Sequence, residues 1–264
     1  MGCMGWPEWL DRVQCRGRLL AAKGTYARRI AAGTSSYDAP FVVVVDDDGV
    51  VGSKGCGAYG MLGHADAEDR LQLTAIEALR GRPVVQVSAG AGHGMVLLAD
   101  GTLVTYGEGH QGCLGHGNMQ DRYIDENVPP TTVAALRGTP VAQISAGARH
   151  SVVLLRGGQV MTFGYGANGC LGHGDARDRW LPTAVGALQG CVALQISAGA
   201  SHSMVLLDDA RVMTFGLGKH GLLGHGDERT RMLPTVVDAC CRRHRYCRCR
   251  LVGSTAWCCS RMVE

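Results

Sequence analysis

The sequence predicts an all-β chain of four tandem blades, each made of four short antiparallel strands. Three observations carry that prediction. A ten-residue sentence, G-x-G-x-x-G-x-L-G-H, is written four times, at Gly55–His64, Gly107–His116, Gly164–His173 and Gly216–His225. Its closing histidines stand 52, 57 and 52 residues apart, and self-similarity at a period of about 50 residues marks a repeat architecture. The composition, with 39 glycines and only 5% aromatic residues, suits short strands joined by tight turns in which glycine supplies positive φ. No window sustains the i, i+3, i+4 apolar spacing of a helical solenoid.

The elements follow in order. Residues 1–29 form an N-terminal segment, with Trp9, Leu10 and Val13 spaced for a short amphipathic helix. The four repeats occupy 30–238. The first copy is degenerate: Ile30–Gly33 keeps I-A-A-G, Ser36 replaces the histidine of the other copies, and about five extra residues precede the turn Asp48-Gly49. The third copy is the clearest. Val141–Ser145, Ser151–Leu155 and Gln159–Phe163 are β-rich runs bounded by glycine-containing turns, and a weaker fourth strand follows Pro182. The second copy (Val84–Gly107) and the fourth (Val192–Gly216) repeat the pattern almost line by line. Four strands per unit in tandem is the build of a propeller blade. Residues 239–264 are different material, rich in cysteine and arginine.

Charge and cysteine usage narrow the function classes. The formal charge is +3, but the stretch from Val236 to Glu264 holds six arginines against Asp238 and Glu264, so the repeats are nearly neutral. No basic stripe crosses them, which argues against nucleic acid as the partner. No apolar run reaches the length of a membrane helix, and Glu8, Asp11, Arg12 and Arg16 leave no room for a secretory signal core. A cytoplasmic or nuclear location is expected. At Met1-Gly2-Cys3 the acylation pattern fails because Trp6 stands where Ser or Thr is required.

Residues that recur once per repeat read as parts of the building unit. The series His64, His116, His173, His225 and the series His93, His150, His202 are too far apart by blade geometry to share one metal. Each imidazole is expected to hydrogen-bond a neighbouring backbone group and pin one blade to the next. Gly107, Gly164 and Gly216 read as turn glycines. A dinucleotide fingerprint would need a helix at the glycines and an acidic residue about 20 positions on. Cys113 and Cys170 share a repeat position with Leu222, as a small buried apolar site allows. Asp66, Asn118, Asp175 and Asp227 suit an Asx-type turn, and the arginines of Asp69-Arg70, Asp121-Arg122 and Asp178-Arg179 are expected to bridge blades. Cys240, Cys241, Cys247, Cys249, Cys258, Cys259 and His244 lack paired zinc-ligand spacing. No cofactor, metal or catalytic residue is predicted. The candidate partner-binding residues are Tyr123, Asp125, Glu126 and Asn127, in the second length change, five residues between Arg122 and Thr131.

These copies resemble the repeats of the regulator of chromosome condensation family. The carrying motifs are S-A-G-x-x-H at Ser88–His93, Ser145–His150 and Ser197–His202, each followed by a Gly- or Asp-containing turn and then T-F/Y-G-x-G-x-x-G-x-L-G-H-G. The resemblance implies a β-propeller, usually of seven blades. Four copies therefore imply an open arc, an incomplete ring or a fragment of a longer protein. The expected function is a non-catalytic protein–protein interaction scaffold, since nothing in the repeats assembles a nucleophile, base and oxyanion site. The resemblance also implies two alternatives: guanine-nucleotide exchange on a small GTPase, and a fragment of a repeat-containing ubiquitin ligase. Exchange would need an inserted β-wedge that no length change here supplies. Light sensing, as in the plant UV-B receptor, would need clustered tryptophans, and only Trp180 lies in the repeats.

Overall fold

A computed structural model describes residues 27–34, 40–46, 48–117 and 129–237, together with the backbone of 247–252 and 256–261. The first sheet holds β1 (Ala27–Thr34), β2 (Pro40–Asp46), β3 (Val51–Gly55) and β4 (Arg70–Ala75). The second holds β5 (Val84–Ala89), β6 (His93–Leu98), β7 (Leu103–Gly107) and β8 (Thr131–Thr132). The third holds β9 (Val141–Ala146), β10 (His150–Leu155), β11 (Val160–Gly164) and β12 (Arg179–Ala184), and the fourth β13 (Ala193–Ala198), β14 (His202–Leu207), β15 (Val212–Gly216) and β16 (Arg231–Val236). Each sheet is an antiparallel meander in which sequence neighbours are spatial neighbours. The remaining strands, β17 (Cys247–Val252) and β18 (Ala256–Arg261), pair only with each other. No helix among the described residues is long and apolar enough to cross a membrane.

The first strands of consecutive blades (β1, β5, β9 and β13) lie side by side along the inner rim, and among the described residues β13 does not pack on β1 as each of the others packs on its neighbour. The four blades therefore form an open arc. Hairpin turns account for the strand spacing. Gly49, Gly101 and Gly158 take φ of +79°, +90° and +81° between the second and third strands, a region that costs a residue with a Cβ about 1–2 kcal/mol. In the fourth blade Ala210 bears the same strain at φ +66°.

The core lies between blades, not within them. One cluster joins Phe41, Val43, Val45 and Val51 of the first blade to Val87, Val96, Leu98 and Tyr106 of the second. A second joins Met95, Leu97, Leu103 and Leu136 to Ile144, Val153, Leu155 and Phe163. A third joins Val152, Leu154, Val160 and Leu188 to Ile196, Val205, Leu207 and Phe215. Each sheet is buried on both faces at its second strand, so β6 and β10 are buried at every position. That explains their near-continuous apolar runs, which alternation alone would not predict.

Two local readings need correction. The fourth strand of the third copy begins at Arg179, ahead of Pro182, and the stretch Gly186–Leu188 is a 3-10 turn. Pro182 is accommodated because β12 is an outer strand, bonded on one side only. In the first blade the residue opposite Gly55 is Phe41, as His93 is opposite Gly107 and His150 opposite Gly164. Phe41, and not Ser36, replaces the histidine. The extra residues lengthen the turn between β1 and β2 and so shift the position along the sequence. Ser36 itself, residues 1–26 of the N-terminal segment and Tyr123, Asp125, Glu126 and Asn127 lie outside the described residues, while Ala27–Arg29, expected to belong to that segment, open β1.

Candidate functional site

The two histidine series do different work. His93 on β6 reaches Ser151 on β10 (Nε2 to Oγ, 3.1 Å), and Ser151 donates its hydroxyl proton to the Cys113 carbonyl at 2.9 Å. His150 reaches Ser203 at 2.9 Å, and Ser203 donates to the Cys170 carbonyl at 2.8 Å. Because each serine proton is already committed, the imidazole must be the donor through Nε2–H. The chain His–Ser–carbonyl crosses from one blade to the next and back. Burial pushes the pKa of His93 down to about 4, and burial with the neighbouring histidines pushes His150 down to about 3. Both rings are neutral at pH 7.

The other series stays within its own blade. His64, His116, His173 and His225 contact Ser53, Thr105, Thr162 and Thr214 at 2.9–3.0 Å. Those hydroxyls donate to the carbonyls of Leu62, Leu114, Leu171 and Leu223. This fastens the glycine turn to the third strand. The expectation that every histidine pins neighbouring blades through a backbone group is thus corrected: one series does the pinning, and in both the direct partner is a side-chain hydroxyl. Ser and Thr recur at these positions as plainly as the histidines do, so the signal was present in the sequence.

The same accounting absorbs the other repeated groups. Arg70, Arg179 and Arg231 pair with Asp66, Asp175 and Asp227 four residues earlier, within one blade; bridging of blades by these arginines is corrected accordingly. Asp66, Asp175 and Asp227 also accept the backbone N–H two residues on, the Asx turn expected of them. Cys113 and Cys170 donate their thiol protons to the carbonyls of Glu108 and Tyr165. Burial pushes the Cys170 thiol up to about 12, which makes it a poor nucleophile. Gly107, Gly164 and Gly216 take φ of +97°, +104° and +113° against the backbone of the adjacent histidine strand. Among the described residues no three His, Cys, Asp or Glu side chains are grouped to hold a metal ion.

One joint departs from the pattern in three places at once. Where Ser151 and Ser203 follow their histidines, the second blade has Gly94. The ring of Tyr106 fills the space a Cβ at Gly94 would need. Tyr106 occupies the position of Phe163 and Phe215, and its buried hydroxyl has no partner. Phe41, Gly94 and Tyr106 together replace the polar His–Ser interlock by an aromatic one.

What the repeats do not share is a cleft of about 540 Å³ at the joint of the second and third blades, lined by Arg82, Arg137, Arg156, Asp100 and Pro140 among others. It opens on the face of the β6–β7 turn. None of the three arginines lies within ion-pairing distance of a carboxylate among the described residues. Arg156 instead reaches across the joint to the Ala99 carbonyl at 3.2 Å. At the next joint the positions corresponding to Arg82, Arg137 and Arg156 are Thr139, Gln189 and Asp208, so the three arginines do not recur there. Sequence reading passed over the cleft because the arginines come from three separate connections. A column-by-column comparison of charge between the copies would have found them.

Models of the regulator of chromosome condensation (RCC1) repeat match residues 48–97, 100–154 and 157–206, together over half of the chain. Each match starts near the third strand of one blade and ends in the second strand of the next, so the sequence repeat spans a joint. The ultraviolet-B receptor UVR8 of Arabidopsis thaliana is 37% identical over 211 residues, 80% of this chain and 46% of the receptor. The E3 ubiquitin-protein ligase HERC2 of Homo sapiens is 34% identical over 187 residues, 70% of this chain and 4% of the ligase. Among solved structures, human WBSCR16 gives a TM-score of 0.69 at 23% identity, covering 80% of this chain and 53% of that one. Yeast RCC1 (Prp20), solved bound to Kap60, gives 0.68 at 22% identity, covering 81% and 49%. The chain thus spans about half the length of UVR8 and of these solved propellers. With blades, joints and matched segments in agreement, the chain belongs to the regulator of chromosome condensation (RCC1) repeat family.

Proposed function

We propose that the chain is a non-catalytic protein-interaction scaffold whose basic cleft takes an acidic segment of a partner protein. One observation carries the reading. The repeated histidines, cysteines and acidic residues are engaged in holding the arc together, while Arg82, Arg137 and Arg156 converge on one cleft. Three guanidinium groups against the single carboxylate of Asp100 leave the cleft net positive, which suits bidentate recognition of Asp and Glu side chains. The same yeast protein, Prp20p of Saccharomyces cerevisiae, is also described by its binding properties to Gsp1p and histones, in keeping with a protein partner. The loop residues Tyr123, Asp125, Glu126 and Asn127 remain a second candidate contact.

Affinity purification with the full chain and with a triple variant, Arg82→Glu, Arg137→Glu and Arg156→Glu, tests the reading. The wild type is expected to retain partners that the triple variant loses, with circular dichroism unchanged. Identical partner sets, or no reproducible partner, would sink it. In a nucleotide-release assay over a panel of small GTPases no acceleration is expected. Acceleration would move the assignment to the exchange-factor alternative. The similarity to UVR8 does not favour light sensing, because Trp180 is the only tryptophan in the four sheets.

A further inference from the structure

The cleft between the second and third blades stands on a fixed backbone frame, and its charge is set by a few side chains. Backbone hydrogen bonds stitch together the three connections that carry its arginines. The Ala99 N–H donates to the Pro83 carbonyl at 2.9 Å, the Val141 N–H to the Gly101 carbonyl at 2.9 Å and the Arg156 N–H to the Pro140 carbonyl at 3.0 Å. Buried Leu103, Val133 and Leu136 form an apolar lining beneath them. The same stitching recurs at the next joint, where the Asp208 N–H donates to the Val192 carbonyl and the Ala193 N–H to the Gly158 carbonyl. That frame carries Thr139, Gln189 and Asp208 in place of the arginines, so a basic charge is not what makes a joint.

The arginines are also left without the carboxylates that quench their counterparts. Arg80, at the position of Arg137 in the preceding loop, pairs with Glu77 at 2.9 Å. In the loop of Arg137 the residue at that place is Ala134. Arg156 uses one N–H on the Ala99 carbonyl, and a guanidinium has five. Asp100 is the single acid of the cleft. Hydrogen bonds from the backbone N–H and hydroxyl of Thr102, helped by the charge of Arg82, hold its carboxyl below the usual carboxylate range, so it is ionised at pH 7. Three positive charges against one negative leave a net of +2. One carboxylate would neutralise half of that. A phosphorylated side chain carries about −1.5 to −2 at pH 7 and offers three strong acceptor oxygens, which matches both the charge and the number of guanidinium groups.

We propose that the cleft selects a phosphorylated serine or threonine in the partner's segment, so that docking on this scaffold depends on the phosphorylation state of the partner. The proposal rests on the scaffold reading and narrows it. The phosphoryl oxygens take charge-assisted hydrogen bonds from Arg137 and Arg156, with Arg82 completing the positive wall. The aliphatic stem of the phosphorylated residue lies toward Leu103, Val133 and Leu136.

The test passes random peptide libraries over the immobilised full chain, each library having one fixed central residue: phosphothreonine, glutamate or threonine. Retention of the phosphothreonine library is expected to exceed that of the glutamate library about tenfold, with the threonine library not retained. The double variant Arg137→Gln with Arg156→Gln, with its thermal midpoint unchanged, is expected to lose the preference, and Arg80→Gln to keep it. Equal retention of the phosphothreonine and glutamate libraries overturns the proposal and leaves the acidic-segment reading standing, whereas retention of neither overturns both. A preference that survives in the double variant, or is lost with Arg80→Gln, overturns the assignment to this cleft. Displacement of the retained peptides by an equal concentration of inorganic phosphate or AMP overturns it in favour of a free phosphoryl ligand.

Discussion

At the scale of single residues, the buried histidines make this arc sensitive to acid. His93 and His150 have folded-state pKa values of about 4 and about 3, below the ordinary 6.5. The unfolded chain therefore binds the additional protons, and stability is complete above pH 6.5 and falls as pH drops toward 4. Urea titrations at pH 7, 5.5 and 4.5 should show midpoints that decline steadily, and a flat profile would contradict neutral buried rings. Breaking the interlock itself should be graded by position. His150→Ala removes a made bond between blades and is expected to lower the unfolding free energy by about 1–3 kcal/mol. Tyr106→Phe removes a buried hydroxyl that has no partner. It is expected to raise stability by about 1 kcal/mol, read as a higher thermal midpoint.

Among the elements, the glycine turns are held by what lies over them as much as by their φ. Gly112 and Gly221 occupy equivalent positions at φ +81° and +72°. A Cβ on Gly112 would stand 2.6 Å from the Trp180 backbone, while one on Gly221 would meet nothing within 4 Å among the described residues. Both alanine substitutions carry the cost of the left-handed region, about 1 kcal/mol. Gly112→Ala must in addition push β12 outward, so its expected loss exceeds about 2 kcal/mol against about 1 for Gly221→Ala. Equal losses in denaturant unfolding would mean that the joint yields easily.

For the molecule as a whole, stability is a sum of blades and nearest-neighbour joints, because each core cluster spans one joint. Binding through Arg82, Arg137 and Arg156 should accordingly behave as a local electrostatic contact. Partner retention is expected to weaken as salt rises from about 0.05 to 0.5 M, as the screening length shrinks. Retention independent of salt would point to an apolar contact elsewhere on the arc.

The sequence by itself determined the blade: its strands, its turn glycines and the fact that histidines and cysteines recurring once per repeat are structural. Those signals are local and written several times, so chance agreement between copies is excluded. It did not reveal that Phe41 takes the histidine position, because a lengthened turn hides the register that strand pairing restores. Nor did it show that Gly94 and Tyr106 answer Phe41 across a joint, since the three lie on different strands. The arginine cleft was likewise decided by tertiary structure alone. It depends on which connections converge at a joint, and convergence leaves no mark within a single repeat.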